Sequence, residues 1–452
     1  MLSLSIIRRL CAAIDAFAAT CIAASISKSR TKTDIAISTH ASSQHPDNFP
    51  TIAACKAAAL KNRGKQDSEK IPPASSNRSQ DSITLSEPAL VKIKAERDPE
   101  KLFQLFKSNA ENRVVVENRF AFEDTISRLA GARRFDLIEK LLEHQKELPQ
   151  GRREGFIVRI LTLYGRARMP DHALRTYEQM HVFGCPRTVK SFNATLKVLS
   201  ENARFEEAQT LFGEVVQKFG IDLDIISYNT IIKVLCSMGS LDSAYLVMEN
   251  MKKEGIMPDV VTYTTLMSSF YKYSRYEVGN GLWNLMILRS CSPNLATFNV
   301  RIQFLVIRRR GWQAHALVHK MISAGIKPDE LTYNLIIKGF CMMGELDMAK
   351  RVFWSMHERG CKPNEKIYQT MIHYLCKGLD FDMAFRLCKD SMGRNWFPNV
   401  DTIHSLLKGL RNISKDKNST EIFKLMRKRK PPYSVEELKA FEDLLGGDKA
   451  FK

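Results

Sequence analysis

No C-x-x-C pair occurs in the chain, although it holds ten cysteines. Closely paired cysteines are the usual mark of a zinc or redox site, so neither is expected. No clean apolar run long enough to cross a membrane is present. The nearest stretch, Leu10 to Ser27, carries Asp15 and follows Arg8 and Arg9, whereas a spanning helix needs about 20 apolar residues. His315 and His319 stand four apart, but no H-E-x-x-H and no third ligand accompany them. A packed or solvated pair is the plainer reading, and no metal or other cofactor and no small-molecule substrate are expected. Acidic residues are in short supply: 49 Asp and Glu face 68 Lys and Arg, a formal net charge of +19. Residues 1–83 hold 11 of the bases and 6 of the acids, which leaves +14 for the remainder. That balance favours a polyanionic partner.

Residues 1–83 are basic, rich in Ser and Thr and poor in acids. Arg8, Arg9, Lys28, Arg30 and Lys32 carry the basic character well past any secretory cleavage site. The composition suits an organellar transit peptide followed by a disordered leader. A mitochondrial address is expected, with the chloroplast as the alternative.

What is present is a beat of 35. Proline recurs at Pro258, Pro293, Pro328, Pro363 and Pro398. A small residue recurs at Ala173, Ala208, Ala244, Gly279, Ala314, Ala349 and Ala384, with one step of 36. Aromatics keep the period at Phe192, Tyr228, Tyr263, Phe298, Tyr333 and Tyr368, and methionines at Met180, Met251, Met286, Met321 and Met356. A period of this size marks a repeat architecture. Within one period two amphipathic helical patterns follow each other, the second stopped by Gly255, Gly325 or Gly360 ahead of a Pro-Asp or Pro-Asn link. One such hairpin cannot bury its own apolar face, so the units must stack. The expected fold is all-α, a right-handed superhelical α-solenoid of helix-turn-helix repeats.

The frames follow from the beat. After a partial, degenerate unit over 84–118, nine units are expected at 119–153, 154–188, 189–224, 225–259, 260–294, 295–329, 330–364, 365–399 and 400–434. A capping helix and tail fill 435–452, with Ser434 and Glu437 forming a capping-box pattern. Helix is expected from about residue 98 to 445. Only 18 residues follow the last unit, so no appended catalytic domain, and no enzyme, is expected.

Stretches such as "ISYNTIIKVLCSMGSLDSAYLVMENMKKEGIMPD" and "LTYNLIIKGFCMMGELDMAKRVFWSMHERGCKPN" resemble the pentatricopeptide repeat (PPR) of plant organelle proteins, in the plain class built only of 35-residue units. More narrowly, "FAFEDTISRLAGARRFDLIEKLLEHQKELPQGRREGFIVRI" and "NGLWNLMILRSCSPNLATFNVRIQFLVIRRR" resemble a small ribosome-associated mitochondrial subgroup. The resemblance implies single-stranded RNA or rRNA as partner, bound at about one base per repeat. It also implies mitochondrial ribosomal proteins as neighbours and a role in translation. The alternatives are a sequence-specific factor for organellar mRNA processing or stability, and a protein scaffold of the tetratricopeptide type.

Carried onto matching positions, the implied base-reading pairs are Asn193 with Asp224, Asn229 with Asp259, Thr264 with Asn294, Asn299 with Asp329, and Asn334 with Asn364. The preferences implied are U, U, A, U and then C or U. Ile226, Val261 and Leu331 would pack on bases, with Ala296 a weaker surface. Asn offers donor and acceptor together, Asp only acceptors, Thr a hydroxyl of either kind. Asp or Asn just before a helix is also a preferred N-cap, and both roles can hold at once. Glu123 and Val158 break the pattern in the first two units, and Gln369 with Asn399 and His404 with Ser434 are poorly matched pairs. Arg308, Arg309 and Arg310 are candidate phosphate contacts as well as a solvated run. Cys236, Cys341 and Cys376 share one repeat position and Cys185, Cys291 and Cys361 another, which marks them as packing or turn residues.

Overall fold

The computed structural model describes residues 88–430 and 432–444. The leader expected over 1–83 and the tail beyond Leu444 lie outside them. The fold is all-α. Among the described residues there are 22 α-helices, a 3-10 turn at Pro149–Arg152 and no strand. They divide between Tyr273 and Ser274 into two compact units.

In the first unit, hairpins pair Arg119–Gly131 with Phe135–Glu147, Glu154–Arg166 with Pro170–Glu178, Val189–Glu201 with Phe205–Phe219, and Ile225–Ser237 with Leu241–Lys253. The helix Val260–Lys272 follows. Upstream stand three short helices, Pro88–Ala95, Pro99–Ser108 and Arg113–Glu117. Helix thus begins ten residues earlier than the expected 98. The break between the first two is local: the Asp98 side chain accepts from the Lys101 N–H at 2.9 Å. Pro99 then takes the first helical position, where a missing N–H is harmless.

The second unit opens with Tyr276–Leu288. Its hairpins pair Leu295–Ile307 with Gly311–Ser323, Glu330–Met342 with Leu346–Glu358, Glu365–Lys377 with Phe381–Gly393, and Val400–Asn412 with Asp416–Met426. A last helix, Val435–Leu444, is opened by the Ser434–Glu437 capping box, with bonds of 2.9 and 3.1 Å. It seats Phe441 beside Tyr433, both buried.

Starts and stops are chemical. From Val189 onward, every first helix of a hairpin opens on Thr, Asp or Asn whose side chain accepts a backbone N–H of the first turn. The turn between helices needs a left-handed residue. At Gly239 (φ 80°) it lets the Ser240 N–H reach the Leu235 carbonyl at 2.9 Å.

The periodic residues form the core. Met180, Met251, Met286, Met321 and Met356 are fully buried, and so are Ala173, Ala208, Ala244, Ala314, Ala349 and Ala384. The periodic aromatics, from Phe192 to Tyr368, are buried in the first helices. Each large apolar side chain buried contributes about 1.5–3 kcal/mol. The alanines contribute closeness, because a Cβ is all that fits between neighbouring helices. Ala349→Leu should therefore destabilise the second unit by about 1–3 kcal/mol through overpacking. Urea unfolding followed by far-ultraviolet circular dichroism should show a lowered midpoint, and an unchanged midpoint would contradict the close packing.

Candidate nucleic-acid interface

The helix-opening aspartates do two things at once. Asp259 caps Val260–Lys272 by accepting the Thr262 N–H at 2.9 Å. The same oxygen, Oδ1, accepts the amide Nδ2 of Asn229 on the preceding first helix at 3.1 Å. Thr262 Oγ1 donates to the Asn229 amide oxygen at 2.5 Å and lies 3.0 Å from the same carboxylate oxygen. Its own lone pair takes the Asp259 N–H at 3.2 Å. Asn, Asp and hydroxyl close into a three-membered network.

The arrangement recurs within each unit. Asn193 Nδ2 donates to Asp224 at 2.9 Å, and Ser227 Oγ donates to Asn193 at 2.6 Å. In the second unit, Asn299 donates to Asp329 at 3.2 Å and accepts from Thr332 at 2.6 Å. A carboxylate cannot donate, so each amide must turn its nitrogen to the Asp and its oxygen to the hydroxyl. For Asp224, burial works to raise the carboxyl, but the Asn193 amide and the Ser227 N–H and hydroxyl outweigh it and hold it below 3.8. Burial is likewise outweighed at Asp329, by the Thr332 N–H and hydroxyl and then the Asn299 amide.

The other two expected pairs differ. Thr264 lies on the last helix of the first unit, whereas Asn294 belongs to the second, where it caps Leu295–Ile307 by accepting the Thr297 N–H at 3.0 Å. Asn334 and Asn364 are not joined. The Asn334 oxygen accepts from Thr370 Oγ1 at 3.0 Å, while the Asn364 amide turns to the Glu330 carboxylate. At the degenerate position 123, the Arg119 guanidinium donates to the Glu123 carboxylate at 2.8 Å, and with Arg166 it holds that carboxyl below its ordinary value.

On the first helices of each unit, apolar side chains also stand open to solvent. Ile226 is 56% exposed, Val261 51% and Leu331 48%. These are large exposures for branched aliphatics on helices most of whose other apolar residues are buried. One further turn along the same helical face come exposed lysines: Lys197 and Lys233 in the first unit, Lys338 and Lys408 in the second. Lys233 is four residues beyond Asn229 and seven beyond Ile226. The sequence reading missed this row; counting each charge by its place in the repeat finds it. Arg308, Arg309 and Arg310 are exposed but lie elsewhere, at the turn closing Leu295–Ile307. They stand roughly 15 Å along the helix from Asn299 at 1.5 Å per residue. The Arg308 guanidinium sits 4.8 Å from the Tyr276 ring centre.

Two other groups singled out in the sequence are accounted for by packing. Burial pushes the Cys341 and Cys376 thiols up to about 12, which suits core residues rather than nucleophiles. The His315 and His319 rings pack edge to face at 4.7 Å.

Residues 223–272, 258–306, 293–342 and 331–377 match the PPR repeat family, and residues 159–185 match the PPR repeat. These segments are pentatricopeptide repeats. A mitochondrial pentatricopeptide repeat-containing protein of Arabidopsis thaliana is 59% identical over 178 residues, 39% of this chain and 45% of that one. Two small ribosomal subunit proteins of the same plant also match. The first, mS79, is 35% identical over 160 residues, 35% of this chain and 41% of that one. The second, mS78, is 36% identical over 160 residues, 35% and 40% of the two chains. The matched stretches span less than half the length of these relatives.

The depressed carboxyls carry a prediction. Asp329 stabilises the fold above its unfolded value near 3.8, and that contribution is lost as pH falls through the lower folded value. Asp329→Asn keeps a good N-cap but removes the titration. The variant should be less stable by about 1 kcal/mol at neutral pH, and the gap should close below about pH 4. Urea midpoints of both proteins across pH 2–7 would test it; a gap independent of pH would refute the assignment.

Proposed function

We propose that this chain binds single-stranded RNA in the mitochondrion along the first-helix face of its repeats, and that it acts in translation with the mitochondrial ribosome. The observation that carries the reading is that three features occupy fixed places on the first-helix face and come together on Ile225–Ser237, at Asn229–Asp259, Ile226 and Lys233. These are an Asn–Asp pair offering fixed hydrogen-bonding edges, an exposed aliphatic residue, and an exposed lysine. A base needs an edge partner and a flat apolar surface, and its phosphate needs a cation. A protein scaffold needs neither the paired polar edges nor the basic row.

Five reading positions would specify a site roughly once per 500–1000 nucleotides, so competing sites would be numerous. A second source of specificity is then needed, and a fixed place on an abundant particle supplies it. The two relatives named as small ribosomal subunit proteins support this choice over a factor for one transcript. The reading is of a binding protein rather than an enzyme.

Lys233→Ala and Lys338→Ala should each weaken binding to single-stranded RNA about equally for all sequences. Each should reduce the slope of log affinity against log salt by about 0.7–1. The tagged protein should co-sediment in stoichiometric amount with one mitochondrial ribosomal subunit. Crosslinking that recovered one mRNA site and no ribosomal RNA would defeat the ribosomal part of the proposal.

A further inference from the structure

We propose that the hydroxyls of Ser227, Thr262 and Thr332 are positioning residues for base choice: each locks the reading asparagine of the preceding repeat into one orientation. The inference rests on the RNA reading above and extends it to residues outside the reading pairs.

The argument starts from the softness of an amide. The last torsion of an asparagine side chain joins sp³ to sp² carbon and has a broad, roughly two-fold profile. A single bond from Nδ2 to a carboxylate settles which end faces the Asp, yet leaves the amide plane free to swing. A second bond at the amide oxygen removes that freedom. In Asn193, Asn229 and Asn299 the second bond comes from the hydroxyl three residues into the next helix, at 2.6, 2.5 and 2.6 Å. Those hydroxyls are themselves held, because Ser227, Thr262 and Thr332 are fully buried. Their oxygens also receive the backbone N–H of the cap residue, at 3.4, 3.2 and 3.4 Å. The amide is therefore pinned at two points to the rigid start of the neighbouring helix. One N–H and one lone pair of the amide remain beyond these bonds, aimed in a set direction.

The molecule contains its own contrast. The helix Glu365–Lys377 has Ile367 where the others have Ser or Thr. There the upstream Asn334 turns its oxygen to Thr370 instead, and the cap Asn364 pairs with Glu330. Hydroxyl and carboxylate are replaced together at that place, so a substitution is needed to separate them. Removing only the hydroxyl, with the Asp kept, isolates its part.

The test uses the full chain and single-stranded oligoribonucleotides carrying UUAUC, each position varied through all four bases. Thr262→Val removes the hydroxyl at nearly constant volume, Thr262→Ser restores it, and Thr332→Val repeats the change in the other unit. Fluorescence anisotropy gives the affinity for each RNA. Discrimination between right and wrong bases is roughly tenfold for a well-held polar pair. Thr262→Val should bring it toward unity at the base facing Asn229 only, Thr332→Val at the base facing Asn299 only, and Thr262→Ser should retain it. A merely structural hydroxyl would give a different pattern: affinity lost equally for every RNA, with discrimination intact. That pattern overturns the positioning role while leaving the RNA reading in place. A parent protein that binds these RNAs without preference at any position would overturn the positioning role and the base reading it serves, and one that does not bind them at all would overturn the RNA reading itself.

Discussion

In the repeats that end in Asp224, Asp259 and Asp329, one oxygen atom holds the local geometry together: the Oδ1 of the residue that ends one repeat and caps the next helix. At Asp224 it accepts the Ser227 N–H and, with the Ser227 hydroxyl oxygen alongside, the Asn193 amide, each at 2.9 Å. The first of these starts a helix, and the last ties that helix to the one before it. Capping alone is worth about 0.5–2 kcal/mol, and here it also sets the register between consecutive first helices. The period of the sequence is the length of chain that returns this oxygen to the next asparagine. The unit 189–224 shows which part of that length is adjustable. It has one residue more than its neighbours, its second helix Phe205–Phe219 runs to 15 residues rather than 13, and Gly220 (φ 61°) closes it. Asn193 and Asp224 still meet. The extra residue is absorbed in the second helix because the bond constrains only the first.

The periodic core obeys the same logic from the other side. Fully buried alanine and methionine at fixed places let second helices lie close to first ones, so each cap arrives where the preceding asparagine can reach it. The apolar contacts are non-directional and would tolerate small slides. The hydrogen-bonded network is directional and does not. Packing brings the helices together, and the cap fixes where along their length they stop.

The hairpins were legible in the sequence because period and cap agree from Val189 to Met426, with a glycine stop added at Gly220, Gly255, Gly325 and Gly360. The helix Pro88–Ala95 was not, since the beat of 35 fades upstream and a lone short amphipathic stretch carries no register. The residues of the Asn–Asp pairs could be singled out from a resemblance, but their joining could not. Asn229 and Asp259 are 30 residues apart, and the hydroxyl of Thr262 completes the network from a third place. The sequence shows Thr262 as an ordinary capping-box residue, which it also is. The place of Arg308 to Arg310 was hidden for a related reason: local charge density is visible in a sequence, but the end of the helix on which it falls is not. Lys233 and Lys338 are each a single charge among many until the helical face containing Asn229 or Asn334 is drawn.

A residue that must cap a helix while presenting an edge to a ligand is chemically restricted. The side chains that cap well are Ser, Thr, Asp and Asn, short enough to fold back on the first turn and able to accept. Those are also the side chains whose donors and acceptors differ most simply: acceptor only in Asp, both kinds in Asn, a rotatable hydroxyl in Ser and Thr. Longer polar residues would reach a base as well, yet they would leave backbone N–H groups of the first turn unmet. The small set of residues at the ends of these repeats, Asp224, Asp259, Asn294, Asp329, Asn364 and Asn399, therefore follows from the fold before any ligand is considered. Any recognition written at these positions uses only letters that the helix start can spell.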